Sequence, residues 1–234
     1  MLEELKLEVL QANLALREHG LVTLTWGNVS GRDREENLVV IKPSGIDYSR
    51  LSPEDMVVVD LEGKVVEGKW QPSSDTPTHV ALYQAFRRIG GIAHTHSDYA
   101  TSFAQACRPI PCLGTTHADH FHGPIPVTRF LTADEVEGEY ERATGLAIVE
   151  AFAQLDPLEM PAVLVAGHGP FTWGENPMEA VNNSLALEKV AQMAFHTLLL
   201  NAKVQNLPNH ILKKHFQRKH GPEAYYGQRK VHEG

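Results

Sequence analysis

The spacing of apolar residues predicts an amphipathic helix at the start of the chain. Leu2, Leu5, Val9 and Leu16 recur at helical intervals, and Gly20 ends the pattern, so the helix is expected over residues 2–19. Short β-rich runs follow, and each is bounded by turn residues. They cover residues 21–25, 38–42, 56–60 and 64–68, and the last two are joined by Leu61-Glu62-Gly63, which predicts a hairpin.

Helical patterns dominate the remainder of the chain. Asp75 followed by Pro77 is a start signal, which predicts a helix to about Arg88, and the capping box Thr132–Glu135 predicts helical sequence through about Gln154. The other expected elements are a strand at Gly90–Ala93, helices from Asp98 to Cys107, from Asn176 to about Asn201 and from Pro208 to Gly221, and a buried strand over residues 161–167. No repeat or linker divides the sequence. We therefore expect one α/β domain over residues 1–234, with a mainly antiparallel central sheet covered by helices.

Composition excludes several classes of partner. The 234 residues are 42% hydrophobic, which suffices for a sizeable core, and the net charge of −8 argues against nucleic acid or an anionic membrane. An anionic substrate must then be held by local groups. The acidic amino terminus and the lack of a long apolar run favour a soluble cytoplasmic protein. Cys107 and Cys112 are too few for a disulfide scaffold.

Three histidines are candidates for a metal site. The stretch GGIAHTHSDYA, residues 90–100, ends a predicted strand, where His94 and His96 would share a face. Two histidines are a weak signal, since zinc takes about four ligands. His168, between two glycines after the strand 161–167, completes a set of three. The fourth position is then open to a carboxylate, a water or a substrate oxygen.

Two acidic residues are further candidates. Asp75, in PSSDTPTH, either accompanies the metal or caps the helix beginning near Pro77, and the two roles are compatible because a carboxylate has two oxygens. Asp119 lies in TTHADHFHG among three more histidines, at positions 117, 120 and 122. Their spacing matches no common zinc pattern, which favours an acid/base group in a polar loop over a second metal site.

Glycine and hydroxyl turns are candidates for phosphate binding. They are TWGNVSG at residues 25–31, KPSG at 42–45, and Ser73-Ser74 at the start of a predicted helix. Free backbone N–H groups and a helix dipole can hold a phosphate without a large basic patch. Each of these motifs alone is more often an ordinary turn.

Taken together, these motifs resemble the L-ribulose-5-phosphate 4-epimerases of the class II aldolase superfamily. The matching segments are TLTWGNVS, IKPSG, PSSDTPTH, GIAHTHS, GTTHADHF, GHGPF and KHGPEAYYGQ, which span nearly the whole chain. The resemblance implies a class II aldolase-like fold and a zinc-dependent retro-aldol and aldol reaction that interconverts L-ribulose 5-phosphate and D-xylulose 5-phosphate. It also implies a homotetramer with active sites between subunits. Mn²⁺ or another divalent ion could replace zinc.

The resemblance also assigns roles to residues. His94, His96 and His168 match the metal ligands, with Asp75 close to the metal, and Asp119 matches one acid/base residue. Tyr226 matches the other, in a tail over residues 222–234 that would reach a neighbouring subunit, where Tyr225 would be the packing residue. The phosphate-binding positions are Asn28, Ser44, Gly45, Ser73 and Ser74, with Gly27 and Lys42 beside them. His120 and His122 depart from the family pattern, which has aromatic residues beside this aspartate.

Two alternatives remain open. A sugar-phosphate aldolase of the same superfamily would release its products, and that branch typically carries a glutamate where this chain has Asp75. A non-catalytic module like the adducin head domain would lack the metal-binding histidines, all three of which are present here. Both comparisons favour the epimerase.

Overall fold

A seven-stranded antiparallel sheet forms the centre of the molecule, in a computed structural model that describes residues 2–222 and 224–226. The strand order is β4-β3-β2-β1-β5-β7-β6, and every neighbouring pair is antiparallel. This confirms the predicted fold class. The strands are β1 (Asn28–Asp33), β2 (Leu38–Ile41), β3 (Val57–Asp60), β4 (Val65–Glu67), β5 (Gly91–His94), β6 (Ala162–Leu164) and β7 (Pro170–Gly174).

Helices cover both faces of the sheet, because alternate strand residues point to opposite sides. Val39 and Ile41 of β2 pack into the largest core cluster with residues of the second, third and sixth helices, whereas Leu38 and Val40 pack against the first helix. The helices are α1 (Glu3–Glu18), α2 (Thr76–Ala85), α3 (Asp98–Gln105), α4 (Thr115–Ala118), α5 (Ala133–Glu137), α6 (Tyr140–Ala151), α7 (Pro177–Leu200) and α8 (Asn209–His220). None of the helices in the described ranges is both long and apolar enough to cross a bilayer.

The predicted strand over residues 21–25 is wrong. Leu24 has a φ of 53°, in the left-handed region, and the Trp26 N–H donates to the Thr23 carbonyl at 3.0 Å, so this segment turns. The strand begins later, at Asn28, in polar sequence that carried no strand signal. β1 lies between β2 and β5, so most of its backbone groups are paired with a neighbouring strand, and its buried Asn28 and Ser30 side chains find hydrogen-bond partners.

The predicted helix from Thr132 to Gln154 is interrupted. The capping box is present, since the Thr132 hydroxyl accepts from the Glu135 N–H at 3.3 Å and the Glu135 carboxylate accepts from the Thr132 N–H at 2.8 Å. The helix it starts ends at Glu137, and a second helix begins at Tyr140. The predicted strand 161–167 is likewise shorter and is followed by β7, which was not predicted. The first helix, the hairpin, the strand ending at His94, α3, α7 and α8 agree with the sequence to within about two residues at each end.

Candidate functional site

The three candidate histidines meet at the end of the central strands. His94 is the last residue of β5, where it is paired in register with Asn28 of β1 and Phe171 of β7. The Nε2 atoms of His94 and His96 are 3.1 Å apart, and the His168 ring centroid lies 4.8 Å from that of His94. One ring nitrogen from each histidine falls within 4.8 Å of the others. The predicted sharing of one face by His94 and His96 is therefore confirmed.

The residues around this cluster fit a divalent cation. Burial lowers the pKa of all three histidines, that of His168 to about 4, so each ring presents a free lone pair at neutral pH. The Nδ1–H of His94 can donate to the Pro170 carbonyl at 2.9 Å, which leaves its Nε2 as the ligand atom. His168 Nδ1 is buried without a hydrogen-bond partner, an arrangement that a bound ion or its ligands would relieve.

The second histidine-rich segment, residues 115–123, forms no cluster of metal-ligating groups among the described residues. His117 Nε2 hydrogen-bonds to the Gly123 carbonyl at 2.7 Å, and His122 pairs with Glu159 at 2.7 Å while its ring stacks on Phe216. These rings are engaged with separate partners. The preference for an acid/base loop over a second metal site agrees with this geometry.

Asp75 lies beside the metal-binding histidines. It is at the N-cap position of α2, but its side chain makes no capping hydrogen bond; its Oδ2 accepts from Asn28 Nδ2 at 2.6 Å instead. Burial raises the pKa of Asp75, but the neighbouring histidines, His94 first, and the bond from Asn28 outweigh it and hold the pKa below its usual value. Asp75 is therefore an anion pointed at the site instead of a helix cap.

A single cavity of about 570 Å³ joins the histidines to the phosphate candidates. All seven of the predicted substrate-binding residues line it, together with all four of the predicted metal-site residues. They are Gly27, Asn28, Lys42, Ser44, Gly45, Ser73, Ser74, Asp75, His94, His96 and His168. Residues from distant parts of the sequence are thus brought to one place, at the ends of β1, β2 and β5 and the start of α2.

Backbone contacts shape the end of the cavity that holds the candidate phosphate-binding residues. The Ser44 N–H donates to the Gln71 carbonyl and the Ser73 N–H donates to the Lys42 carbonyl, each at 3.0 Å, so the two loops are tied together. Gly45 has a φ of 67° and open space where a Cβ would stand, which allows close approach of a ligand. A Cβ on Gly27, with a φ of 74°, would meet the His94 carbonyl oxygen at 2.8 Å, so this position requires glycine.

Lys42 supplies a buried cation at this end. Burial lowers its pKa to about 8, against the opposing charges of Asp75 and Asp47. Its Nζ lies 4.8 Å from the centre of the Tyr48 ring and 3.3 Å from the Thr25 carbonyl oxygen. An anionic ligand would provide the strong partner that this ammonium lacks.

Thr25 and Trp26 of the TWGNVSG segment also line the cavity, and so do two residues that sequence reasoning missed, Tyr140 and Glu141. Tyr140 and Glu141 reach it because the predicted helix breaks before Tyr140; Gly138, two residues earlier, was the available signal. The ring of Tyr140 lies 6.5 Å from that of His168. Trp26, about half exposed, lies 6.1 Å from His96.

Asp119 and Tyr226 lie apart from this cavity and close to each other. Asp119, after α4, accepts from Arg218 at 3.0 and 2.6 Å and from His215 at 3.0 Å. Burial raises its pKa, but these bonds, that of Arg218 first, bring the pKa below its usual value. The Tyr226 ring lies 4.9 Å from the same Arg218 guanidinium. Sequence reasoning missed Arg218 and His215, which carry no motif of their own.

Much of the predicted tail lies outside the described residues, which omit 223 and 227–234. Tyr225, predicted to be a packing residue, is about half exposed within one chain, and Lys214 lies over its ring at 5.1 Å. The predicted contact with a neighbouring subunit stays a prediction.

Comparison with known proteins agrees with this architecture. Residues 7–195 match the family described as Class II Aldolase and Adducin N-terminal domain. The chain is 53% identical over 228 residues to the L-ribulose-5-phosphate 4-epimerase UlaF of Salmonella paratyphi B, covering 97% of this chain and 100% of that protein. The same identity and coverage are found with the UlaF protein of Salmonella typhi.

Two solved structures with this fold are described as L-fuculose 1-phosphate aldolases. An L-fuculose 1-phosphate aldolase superposes with a TM-score of 0.78 at 29% identity, covering 92% of this chain and 95% of that chain. An L-fuculose-1-phosphate aldolase from Thermus thermophilus gives a TM-score of 0.68 at 25% identity, covering 87% of this chain and 100% of that chain. The chain belongs to the class II aldolase and adducin family. Within it, the curated relatives above, at 53% identity, carry the name of the 4-epimerase.

Proposed function

We propose that this chain interconverts L-ribulose 5-phosphate and D-xylulose 5-phosphate, using a divalent cation, zinc in the first instance, held by His94, His96 and His168. The observation that carries the proposal is the joining, in one cavity, of this histidine cluster and the loops that carry Lys42, Ser44 and Ser73. Identity of 53% to relatives named for this activity supports the choice of substrate.

The chain's own residues account for the two ends of the substrate. Hydroxyls of Ser44, Ser73 and Ser74, with the Lys42 ammonium, hold the phosphate and so retain the small aldehyde fragment after C3–C4 cleavage. The cation, when bound, supplies Lewis acidity that stabilises the charge developing on substrate oxygens. The retained aldehyde can then rotate and present its opposite face for re-addition.

Inversion needs proton transfer on two faces of that aldehyde, and one fixed group serves one face. Asp119 and Tyr226 are the proposed pair. Arg218 contacts both: its guanidinium donates to the Asp119 carboxylate, whose charged form it stabilises, and it lies 4.9 Å from the centre of the Tyr226 ring.

The assembly that fits this arrangement is a cytoplasmic homotetramer with shared sites. The described lining of the cavity includes neither Asp119 nor Tyr226, although both contact Arg218 of α8. A neighbouring copy that places this cluster over the cavity would complete the acid/base set.

A second candidate, cleavage of a sugar phosphate with release of products, is favoured by the TM-score of 0.78 to an L-fuculose 1-phosphate aldolase. Asp75 speaks against it, because the aldolase branch typically uses a longer glutamate there. A non-catalytic adducin-like role is disfavoured by the complete histidine cluster.

The test is incubation of the purified, metal-loaded protein with L-ribulose 5-phosphate. We expect D-xylulose 5-phosphate without net cleavage, and we expect His168→Asn to lose most bound metal and activity while circular dichroism stays unchanged. His210→Asn, an exposed histidine on α8, is the matched control. Accumulation of aldehyde and ketone fragments would favour the aldolase, and near-stoichiometric metal in His168→Asn would refute the metal assignment.

A further inference from the structure

A chain of buried polar side chains runs behind Asp75, away from the cavity lining. The Tyr83 hydroxyl lies 2.8 Å from Ser30 Oγ, and Ser30 Oγ lies 2.7 Å from His79 Nδ1. All three side chains are fully buried. His79 lies one turn after Asp75 on α2, and its backbone N–H donates to the Asp75 carbonyl at 3.1 Å. Polar groups so deeply buried cost folding energy unless their hydrogen bonds are complete.

The direction of these hydrogen bonds follows from the protons available. Burial raises the pKa of Tyr83 far above its usual range, so the phenol keeps its proton and must donate it. Ser30 Oγ is the acceptor that lies within reach. The single Ser30 proton then goes to His79 Nδ1, which acts as acceptor.

The opposite direction is less favourable on two counts. If His79 Nδ1 donated to Ser30 and Ser30 to Tyr83, the buried phenol would be left without an acceptor. The bare lone pair of His79 Nε2 would also be repelled by the negative charge of the Asp75 carboxylate. The forward chain avoids both costs because it leaves a proton, not a lone pair, on Nε2.

His79 Nε2 has no hydrogen-bond partner in the described structure, although it is completely buried. Burial lowers the pKa of His79 to about 3, and the negative charge of Asp75, four residues earlier in the chain, opposes this shift, so the ring is neutral. In return, His79 is among the groups that favour the charged form of Asp75. Asn28 already holds Asp75 Oδ2 at 2.6 Å. A donor from His79, direct or through one buried water, would hold the same carboxylate from a second side.

We infer that His79 is a positioning residue: Tyr83 and Ser30 fix its proton on Nε2, and that N–H orients the Asp75 carboxylate against the metal-binding histidines. His79 touches no substrate in this scheme and acts through Asp75. The kinetic part of the inference rests on the proposed function, whereas the tautomer part does not.

The first test reads the tautomer in metal-free protein, without any assay of activity. Nitrogen-15 NMR of the histidine rings distinguishes a protonated from a bare ring nitrogen, and the His79 signals are identified by their loss in His79→Gln. We expect one tautomer with the proton on Nε2, and loss of that single pattern in Ser30→Ala. A wild-type signal with the proton on Nδ1, or a doubly protonated ring at neutral pH, would overturn the inference.

The second test separates positioning from simple stability. We expect His79→Leu to lower kcat about 10–100-fold, the range for partners of metal-site residues, with KM for the sugar phosphate within about twofold. Ser30→Ala should lose less and Tyr83→Phe least, and His79→Gln, which retains a donor, should recover part of the loss. Ser184→Ala removes a buried hydroxyl that is hydrogen-bonded to Thr172 at 2.6 Å, so it is the control for the loss of a buried hydroxyl outside this chain of side chains.

The results separate three claims: the tautomer of His79, its positioning role and the proposed function. Equal kcat losses in Ser184→Ala and Ser30→Ala, or an unchanged kcat in His79→Leu, would refute the positioning role even if the tautomer were as expected. If His79→Leu does not fold, Ser30→Ala and Tyr83→Phe decide the matter. A wild-type protein without epimerase activity would refute the proposed function while the NMR result still decided the tautomer.

Discussion

Lys42 shows how one residue can link burial to substrate affinity. Its pKa of about 8 follows from desolvation, so the ammonium form is dominant below pH 8 and is lost as the pH rises above it. A sugar phosphate is already a dianion over that range, because its second pKa is about 6. The only partner in the proposed phosphate contact that changes charge between about pH 7 and 10 is then the lysine.

We expect kcat/KM, which reports the free enzyme, to fall as the pH rises through about 8. A lost hydrogen bond to a charged oxygen is worth about 1.5–3 kcal/mol, which corresponds to roughly 10–150-fold. Lys42→Met should show that loss already at pH 7 and no inflection near 8, and Lys42→Arg should remove the inflection because arginine stays charged. An unchanged inflection in Lys42→Met would exclude Lys42 as its source.

The docking of α1 against β1 is a feature of element scale. The pairing of β1 with β2 begins at Ser30, so the backbone of Val29 lacks a strand partner on that side. The buried Asn13 of α1 takes its place: its Oδ1 accepts from the Val29 N–H at 2.9 Å, and its Nδ2 donates to the Val29 carbonyl at 3.1 Å. One side-chain amide thus substitutes for a strand residue next to Asn28 of the cavity.

Asn13→Leu should lower the free energy of unfolding by roughly 2–6 kcal/mol, because it leaves two buried backbone groups unpaired at about 1–3 kcal/mol each. Urea denaturation followed by circular dichroism measures the change. Gln11→Leu, on the exposed side of the same helix, should stay within about 0.5 kcal/mol of the wild type. A loss below about 1 kcal/mol in Asn13→Leu would mean that water replaces the amide.

At the scale of the whole molecule, the central feature is the separation of Asp119 and Tyr226 from the cavity. Tyr226→Phe keeps the aromatic ring and removes the hydroxyl, so we expect metal content to persist while kcat falls by roughly 10²–10⁴. Mixing Tyr226→Phe with His94→Asn should restore part of the activity, because a mixed oligomer pairs an intact tyrosine with an intact histidine cluster. Mixed oligomers that form, as shown by native mass spectrometry, but remain inactive would rule out shared sites.

Local signals in the sequence were sufficient for most helices and for the composition of the cavity. Asn176, for example, caps α7 through the Glu179 N–H at 2.9 Å, as its position before a long alanine-rich pattern indicated. His94 and His168 were found because glycines and apolar strands surround them, and their roles came from the resemblance. Tyr140 and Glu141 were not found, since their place in the cavity depends on a break between two helices that only Gly138 marks in the sequence.

The sequence by itself determined the periodic elements, the antiparallel α/β class, the candidate histidines and the loops predicted to bind a phosphate, because each of these was recognised from residues close along the chain. Only the tertiary structure decided that the polar run from Asn28 to Asp33 is a central strand, since its stability comes from hydrogen bonds to β2 and β5, which are distant in sequence. The same holds for the chain from Tyr83 through Ser30 to His79, and for the bonds from Arg218 to Asp119. Isolated polar residues carry no periodic signal, and their meaning depends on which partners folding brings within about 3 Å.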